Sequence, residues 1–189
     1  NSADGCSQEL TKTARTLPKP IAAFTFDNKC TYDAFAFNAS SSTVANGDIL
    51  TDYNWTYGDG KTGTSAISSN LYSTDGTYNV KLIVTSDNNC KDTVEADATV
   101  LPVPKATFSF SDECLNTPIS FNAGNSSVNA PGTITSYIWD FAGTTAVSST
   151  ATRDFTFPEA NPYLVKLTVA TSDNCVHDTT IVATVHPRS

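Results

Sequence analysis

Two histidines, His177 and His186, are the only side chains of this chain whose ordinary charge change falls near neutrality. His177 stands beside Asp178, and hydroxyls are plentiful. A nucleophilic triad needs more: a base oriented by a third group, with the nucleophile in reach. Asp27, Asn28, Asp48, Asp52 and Asp59 offer oxygens, the ligand type that calcium takes, and Asp27, Asp48 and Asp59 are the candidates for such a site. Their spacing matches no EF-hand loop. Aromatic rings would serve a sugar ligand only if they stood exposed as a stacking platform. The remaining reactive side chains are five cysteines, Cys6, Cys30, Cys90, Cys114 and Cys175.

The elements that must carry these residues are repeated. Leu17-Pro18-Lys19-Pro20 recurs as Leu101-Pro102-Val103-Pro104, Cys30 as Cys114, Phe37-Asn38-Ala39 as Phe121-Asn122-Ala123, and Trp55 as Trp139, all at an offset of 84. Tyr78-Asn79-Val80-Lys81-Leu82 recurs as Tyr163-Leu164-Val165-Lys166-Leu167, and Cys90 as Cys175, at an offset of 85. Neither histidine has a histidine counterpart, and Gly143 stands where Asp59 should recur. No catalytic residue is therefore expected, and the chain is read as a non-enzyme. Asp4-Gly5-Cys6 aligns with Asn88-Asn89-Cys90, so residues 1–18 read as the last strand of a preceding repeat. Residues 19–102 and 103–189 are the two repeat bodies. With no methionine anywhere, the expectation is an internal or processed stretch of a longer protein.

Within a repeat the period is two. Ala22, Phe24 and Phe26 share one face; Tyr53, Trp55 and Tyr57 alternate with polar residues, as do Tyr78, Val80, Leu82 and Val84. Gly- and Asp-rich turns separate the runs, for example Gly58-Asp59-Gly60 and Asp75-Gly76. Short strands at this spacing describe an all-β fold: two Ig-like sandwiches in series. Trp55 and Trp139 are the expected core anchors, with Tyr78 and Tyr163 at the corner entering the sixth strand. Most other aromatics fall on the inward face, with Tyr32 and Tyr72 as the candidates for exposure.

Eleven basic against nineteen acidic residues, a net charge of −8, argues against binding nucleic acid through bulk electrostatics. No apolar run approaches the roughly 20 residues that cross a bilayer, so direct membrane insertion is not expected. Five cysteines in a chain rich in Thr, Ser and Val suggest secretion.

The turn and strand motifs resemble those of PKD repeats. That family carries a Trp-Asp-Phe-Gly-Asp-Gly run and then a Gly-Thr-Tyr-x-Val-x-Leu strand. Here the first repeat reads Trp55-Thr56-Tyr57-Gly58-Asp59-Gly60, then Gly76-Thr77-Tyr78-Asn79-Val80-Lys81-Leu82. The second reads Trp139-Asp140-Phe141-Ala142-Gly143-Thr144, then Asn161-Pro162-Tyr163-Leu164-Val165-Lys166-Leu167. The extra cysteines are similar to those of very large bacterial surface proteins and adhesins exported by type IX secretion. The resemblance implies an extracellular or cell-surface location and a structural or adhesive stalk, partnered by neighbouring repeats. The strand expected at residues 7–17, if it pairs its edge with another copy, would give a homo-oligomer or fibre. The alternative the resemblance implies is an accessory carbohydrate- or protein-binding module of a secreted hydrolase. It implies no cofactor, with calcium as the one ion some members bind. Asp92-Thr93 and Asp178-Thr179 resemble the O-glycosylation signal of such exporters, pointing to Thr93 and Thr179.

An Ig-type topology constrains the cysteines. Cys30 and Cys114 lie between the first two strands of their repeats, Cys90 and Cys175 between the last two, at opposite ends of the sandwich. Strands of about six residues at roughly 3.3 Å each separate the ends by about 20 Å, and a disulfide spans about 4.4–6.8 Å between Cα atoms. One scheme therefore pairs Cys30 with Cys175 across the joint, with Cys90 reaching back to an upstream repeat and Cys114 forward to the next. The other pairs Cys30 with Cys90 and Cys114 with Cys175, leaving Cys6 alone. It stands if one strand fewer lies between the third and sixth positions.

Overall fold

The computed structural model describes residues 16–188. Its fourteen strands fall into two sets of seven. The first repeat holds β1 (Lys29–Cys30), β2 (Ala34–Asn38), β3 (Leu50–Thr56), β4 (Thr62–Gly63), β5 (Ile67–Leu71), β6 (Gly76–Ser86) and β7 (Lys91–Leu101). The second holds β8 (Glu113–Cys114), β9 (Ile119–Asn122), β10 (Ile134–Phe141), β11 (Thr144–Ser148), β12 (Thr152–Phe155), β13 (Pro162–Thr171) and β14 (Val176–His186).

Each repeat is a sandwich. In the first, a five-stranded sheet ordered β1-β7-β6-β3-β4 faces the β2-β5 pair. In the second, β11-β10-β13-β14-β8 faces β12-β9. The segment entering each repeat adds to the smaller sheet through single bridges, Ile21 to Thr43 and Thr25 to Asn38, then Lys105 to Ser127 and Ser109 to Asn122. The all-β, tandem Ig-like reading is what the chain adopts.

Alternation explains which faces meet. In β2 the phenylalanines of Ala34–Asn38 point inward and their neighbours outward, the pleat's period of two. Val80, Leu82 and Val84 do the same on β6, and Val165, Leu167 and Val169 on β13. The two hydrophobic cores are separate. Each closes on a tryptophan: Trp55 is 1% exposed and Trp139 0%. Phe24 meets Trp55 edge-on with ring centroids 5.1 Å apart, and Phe108 meets Trp139 the same way at 5.2 Å. The two anchors differ in one bond. The Trp55 indole N–H donates to the Ser65 carbonyl at 2.8 Å, whereas the buried Trp139 indole N–H has no acceptor among the described residues.

Tyr78 and Tyr163 sit at the corner between the smaller sheet and the long strands, and both are half-buried. Tyr78 donates to the Thr74 carbonyl at 3.1 Å and Tyr163 to the Glu159 carbonyl at 3.2 Å, each four residues upstream. This is the tyrosine corner of Ig-like sandwiches. Tyr78 stacks on Tyr72 at 4.3 Å, and Tyr163 on Phe157 at 4.2 Å.

Tyr72 corrects an expectation. It is 1% exposed, not a surface ring, because β5 ends at Leu71 and the chain turns inward there. Its hydroxyl donates to the Tyr57 carbonyl at 2.9 Å. Tyr32, at 67% exposure, does face solvent.

Candidate functional site

The feature that joins the two sandwiches is a disulfide between Cys30 and Cys175, with Cα atoms 5.7 Å apart and a sequence separation of 145. Cys30 closes β1, which lies parallel to the end of β7 with Cys30 opposite Leu101. The Thr31 amide then donates to the Leu101 carbonyl at 2.9 Å, and Tyr32 turns the chain with a φ of 69°. Cys175 ends the β13–β14 turn and is 1% exposed. There the Thr171 amide donates to the Cys175 carbonyl at 3.0 Å, and the Cys175 amide donates to the Thr171 hydroxyl at 3.1 Å. Asn174 supplies the turn's positive φ of 63°, a conformation asparagine tolerates.

The same strand lengths overturn the other pairing scheme. Cys30 is in register with Leu101 at the far end of β7, while Cys90 stands just before its first residue, Lys91. Eleven residues of strand lie between them, about 35 Å at roughly 3.3 Å per residue. Cys114, opposite His186, is separated from Cys175 by the eleven residues of β14 in the same way. The strands are nearly twice the length assumed from sequence, so neither Cys30–Cys90 nor Cys114–Cys175 can form. Among the described residues Cys90 and Cys114 are free thiols, half-buried and exposed respectively. Cys6 lies outside the described residues, as does nearly all of the segment expected to be a preceding repeat's last strand.

Other contacts brace the joint. Pro102 and Pro104 are buried in the linker. A methyl placed on Gly132 would stand 3.0 Å from the Pro102 Cγ, so the loop before β10 lies directly under that proline. The Asn129 amide donates to the Asp75 carboxylate at 3.1 Å, across the same joint.

A second device sits at the entrance to each repeat, and sequence reasoning missed it. The Asp92 carboxylate accepts the Ala22 amide at 2.9 Å and pairs with Lys19 at 2.6 Å. The Ala22 amide, then Lys19, hold Asp92 below the ordinary carboxylate range against a smaller opposing effect of burial. In the second repeat His177 occupies the equivalent position, and its Nδ1 accepts the Ala106 amide at 3.2 Å. That bond requires Nδ1 to be unprotonated. Two residues after the turn cysteine, one acceptor in each repeat therefore ties down the incoming chain. The signal was present as the offset of 85 between Asp92 and His177, hidden by the change of residue type.

This is the role the structure gives His177, which sequence reasoning weighs as a base and sets aside. Neighbours on a strand point to opposite faces, so Asp178 does not orient His177. Asp178 pairs instead with Lys166 at 3.0 Å. His186 lies at the far end of the same strand.

The candidate calcium ligands are not brought together. Asp48 precedes β3 and Asp59 follows it, about 20 Å apart along a seven-residue strand. Asp48 accepts from the Asn88 amide at 2.8 Å. Asp59 is tied to Lys61 at 3.1 Å and to the Asn70 amide at 2.9 Å. Burial raises the Asp59 carboxyl, but Asn70 and Lys61 outweigh it and leave the net shift downward. Asp27 is exposed. Among the described residues no three His, Cys, Asp or Glu side chains gather as a metal site.

Thr93 is exposed, opposite Ile83 on the outer face; Thr179 is half-buried opposite the buried Leu167. The Asp-Thr pair falls one residue later in the second repeat, which turns its threonine to the inner face. A cleft of about 620 Å³ opens on the outer face between β3 and β4, lined by Asn54, Thr56, Thr64, Lys81 and Ile83. Its aromatic, Trp55, is buried and offers no stacking surface.

Two Ig-like sandwiches locked by one disulfide define a tandem β-sandwich repeat protein. The PKD domain matches residues 17–101 and again 99–186, and the chain belongs to that family. It is similar to the PKD1 domain of Vibrio anguillarum Epp, at 24% identity and a TM-score of 0.40 over 43% of this chain and 93% of that one. The PKD1 domain of the Vibrio cholerae metalloprotease PrtV is similar at 26% identity and a TM-score of 0.38, over 43% and 96%. The fibronectin(III)-like modules of Clostridium thermocellum CbhA match both repeats at 13% identity and a TM-score of 0.43, over 87% and 95%. No curated protein matches the chain.

Proposed function

We propose that the chain is a shaft segment of a large extracellular surface protein or fibre, a spacer that holds a distal binding part away from its anchor. The type IX-exported surface proteins and adhesins are the class of parent this reading favours. The observation that carries it is the Cys30–Cys175 bond, which ties one end of each sandwich to the other and takes bending freedom from the joint. Disulfides persist in oxidising compartments, which supports an extracellular location. Repeats that contact only their neighbours build a rod from local interfaces.

The test is the joint. In the Cys30→Ser/Cys175→Ser protein, distance distributions between labels on the two repeats should broaden and small-angle scattering should show a shorter maximum dimension. Equal distributions with and without the bond would defeat the shaft reading. The accessory-module reading predicts instead that tryptophan or tyrosine fluorescence responds to an added polysaccharide panel, and the shaft predicts no response.

A further inference from the structure

Cys90 and Cys114 are repeat-equivalents of the two bonded cysteines: Cys114 of Cys30, and Cys90 of Cys175. The equivalence holds in the backbone. Cys114 closes β8 opposite His186, as Cys30 closes β1 opposite Leu101. The Leu115 amide donates to the His186 carbonyl at 2.9 Å, as Thr31 does to Leu101. Asn116 repeats the left-handed turn of Tyr32, with φ values of 67° and 69°. The β6–β7 turn likewise repeats the β13–β14 turn. The Ser86 amide donates to the Cys90 carbonyl at 2.9 Å, and Asn89 and Asn174 have φ values of 61° and 63°.

One difference separates the bonded turn from the free one. In the bonded turn the Thr171 hydroxyl accepts the Cys175 amide, and the cysteine is fully buried. In the free turn Ser86 takes the place of Thr171. It is 1% exposed, its hydroxyl has no partner among the described residues, and Cys90 is only half-buried. A buried hydroxyl left unpaired is unfavourable. The free turn thus has the backbone of the bonded one, and an unused acceptor where the bonded one has a hydrogen bond.

We propose that Cys114 and Cys90 are the two outward halves of this same staple, and that a second copy of this chain docks end to end, its Cys90 bonding Cys114 of the copy before it. The proposal rests on the shaft reading and names its partner. At each new joint the β8–β9 turn of one copy meets the β6–β7 turn of the next, as the β1–β2 turn meets the β13–β14 turn inside the chain. The Ser86 hydroxyl then accepts the Cys90 amide. Each bond removes two protons and two electrons, which a small-molecule disulfide takes up. The Cys114 thiolate attacks oxidised glutathione and releases one glutathione; the Cys90 thiolate then attacks the Cys114 sulfur and expels the second.

The experiment uses the full chain carrying Cys6→Ser, since Cys6 shares the repeat position of Cys90. The protein is incubated in a glutathione redox buffer, run on a non-reducing gel and mapped by peptide mass. The expected result is a ladder of covalent multimers whose linking peptide joins Cys90 to Cys114. Cys90→Ser and Cys114→Ser should each abolish the ladder, and mixing these two variants should restore a dimer and nothing longer. Like-to-like links, Cys90–Cys90 or Cys114–Cys114, would overturn the proposal, and so would a product that is only glutathione-capped monomer. Either failure leaves the label-distance measurement on the Cys30–Cys175 joint unaffected, so it is distinguishable from failure of the shaft reading.

Discussion

Tyr72 and Phe157 occupy the same place in the two repeats, both buried and both stacked on the corner tyrosine. Only Tyr72 can ionise. Burial pushes its phenol up from 10.0 to about 12, with Asn70 opposing in part. A raised folded-state value means that the stabilising effect is complete below pH 10 and is lost as pH climbs towards 12. The first repeat should therefore lose on the order of 2 kcal/mol over that interval, and the second, with phenylalanine, should not lose it by this route. Urea midpoints read from Trp55 in a Trp139→Phe protein and from Trp139 in a Trp55→Phe protein separate the two. Tyr72→Phe should flatten the dependence of the first repeat; an unchanged slope in that variant would remove Tyr72 as its cause. Asp92 works in the opposite direction. Its lowered carboxyl supports the entrance of the first repeat above the ordinary carboxylate range, and the support is lost as pH falls below it. At this scale the tryptophan anchors were legible, because large residues in a period-two run have few other places to go. The burial of Tyr72 was not, since it lies one residue past its strand, where alternation stops applying.

Among the elements, the turn after β3 and its counterpart after β10 show how one repeat solves a problem that the other tolerates. Gly58 has a φ of 79°, and a methyl group there would stand 2.8 Å from the Asn79 carbonyl oxygen. Its counterpart, Ala142, adopts a φ of 50° with a side chain in place. Left-handed backbone costs a non-glycine residue about 1–2 kcal/mol. Ala142→Gly should therefore stabilise the second repeat by about 1 kcal/mol, and Gly58→Ala should destabilise the first by roughly 1–3 kcal/mol. Chemical denaturation of the two single variants measures both, and the same sign for both would contradict this account. The turn motif was readable as a degenerate glycine run, but not which residue carried the positive φ. The strands were readable in place and wrong in length: β7 and β14 run to eleven residues each. That length excludes disulfides within a repeat and makes the cross-joint pair the one that geometry allows.

For the whole molecule, the periodicity of the sequence already offered the joint as one of two schemes, since in a head-to-tail array the loop after the first strand of one repeat faces the loop before the last strand of the next. The latch at each entrance was hidden, because aspartate and histidine share a role without sharing a chemistry. The joint also fixes how the molecule carries tension. A pull on the two ends enters near Pro20, reaches Cys30, crosses the Cys30–Cys175 bond and leaves along β14. Everything between those cysteines is a slack loop beside the force path, including both core tryptophans. That separation of 145 holds about 500 Å of contour length at roughly 3.5 Å per residue, and the covalent shortcut keeps all of it from paying out. Single-molecule stretching of the oxidised protein should show only the short extension of the terminal strands, and reduction should release the long steps of two unfolding sandwiches. Long steps before reduction would show that the load does not pass through the sulfur bridge. A tether built this way is inextensible under oxidising conditions, and a thiol reductant turns the same chain into a shock absorber.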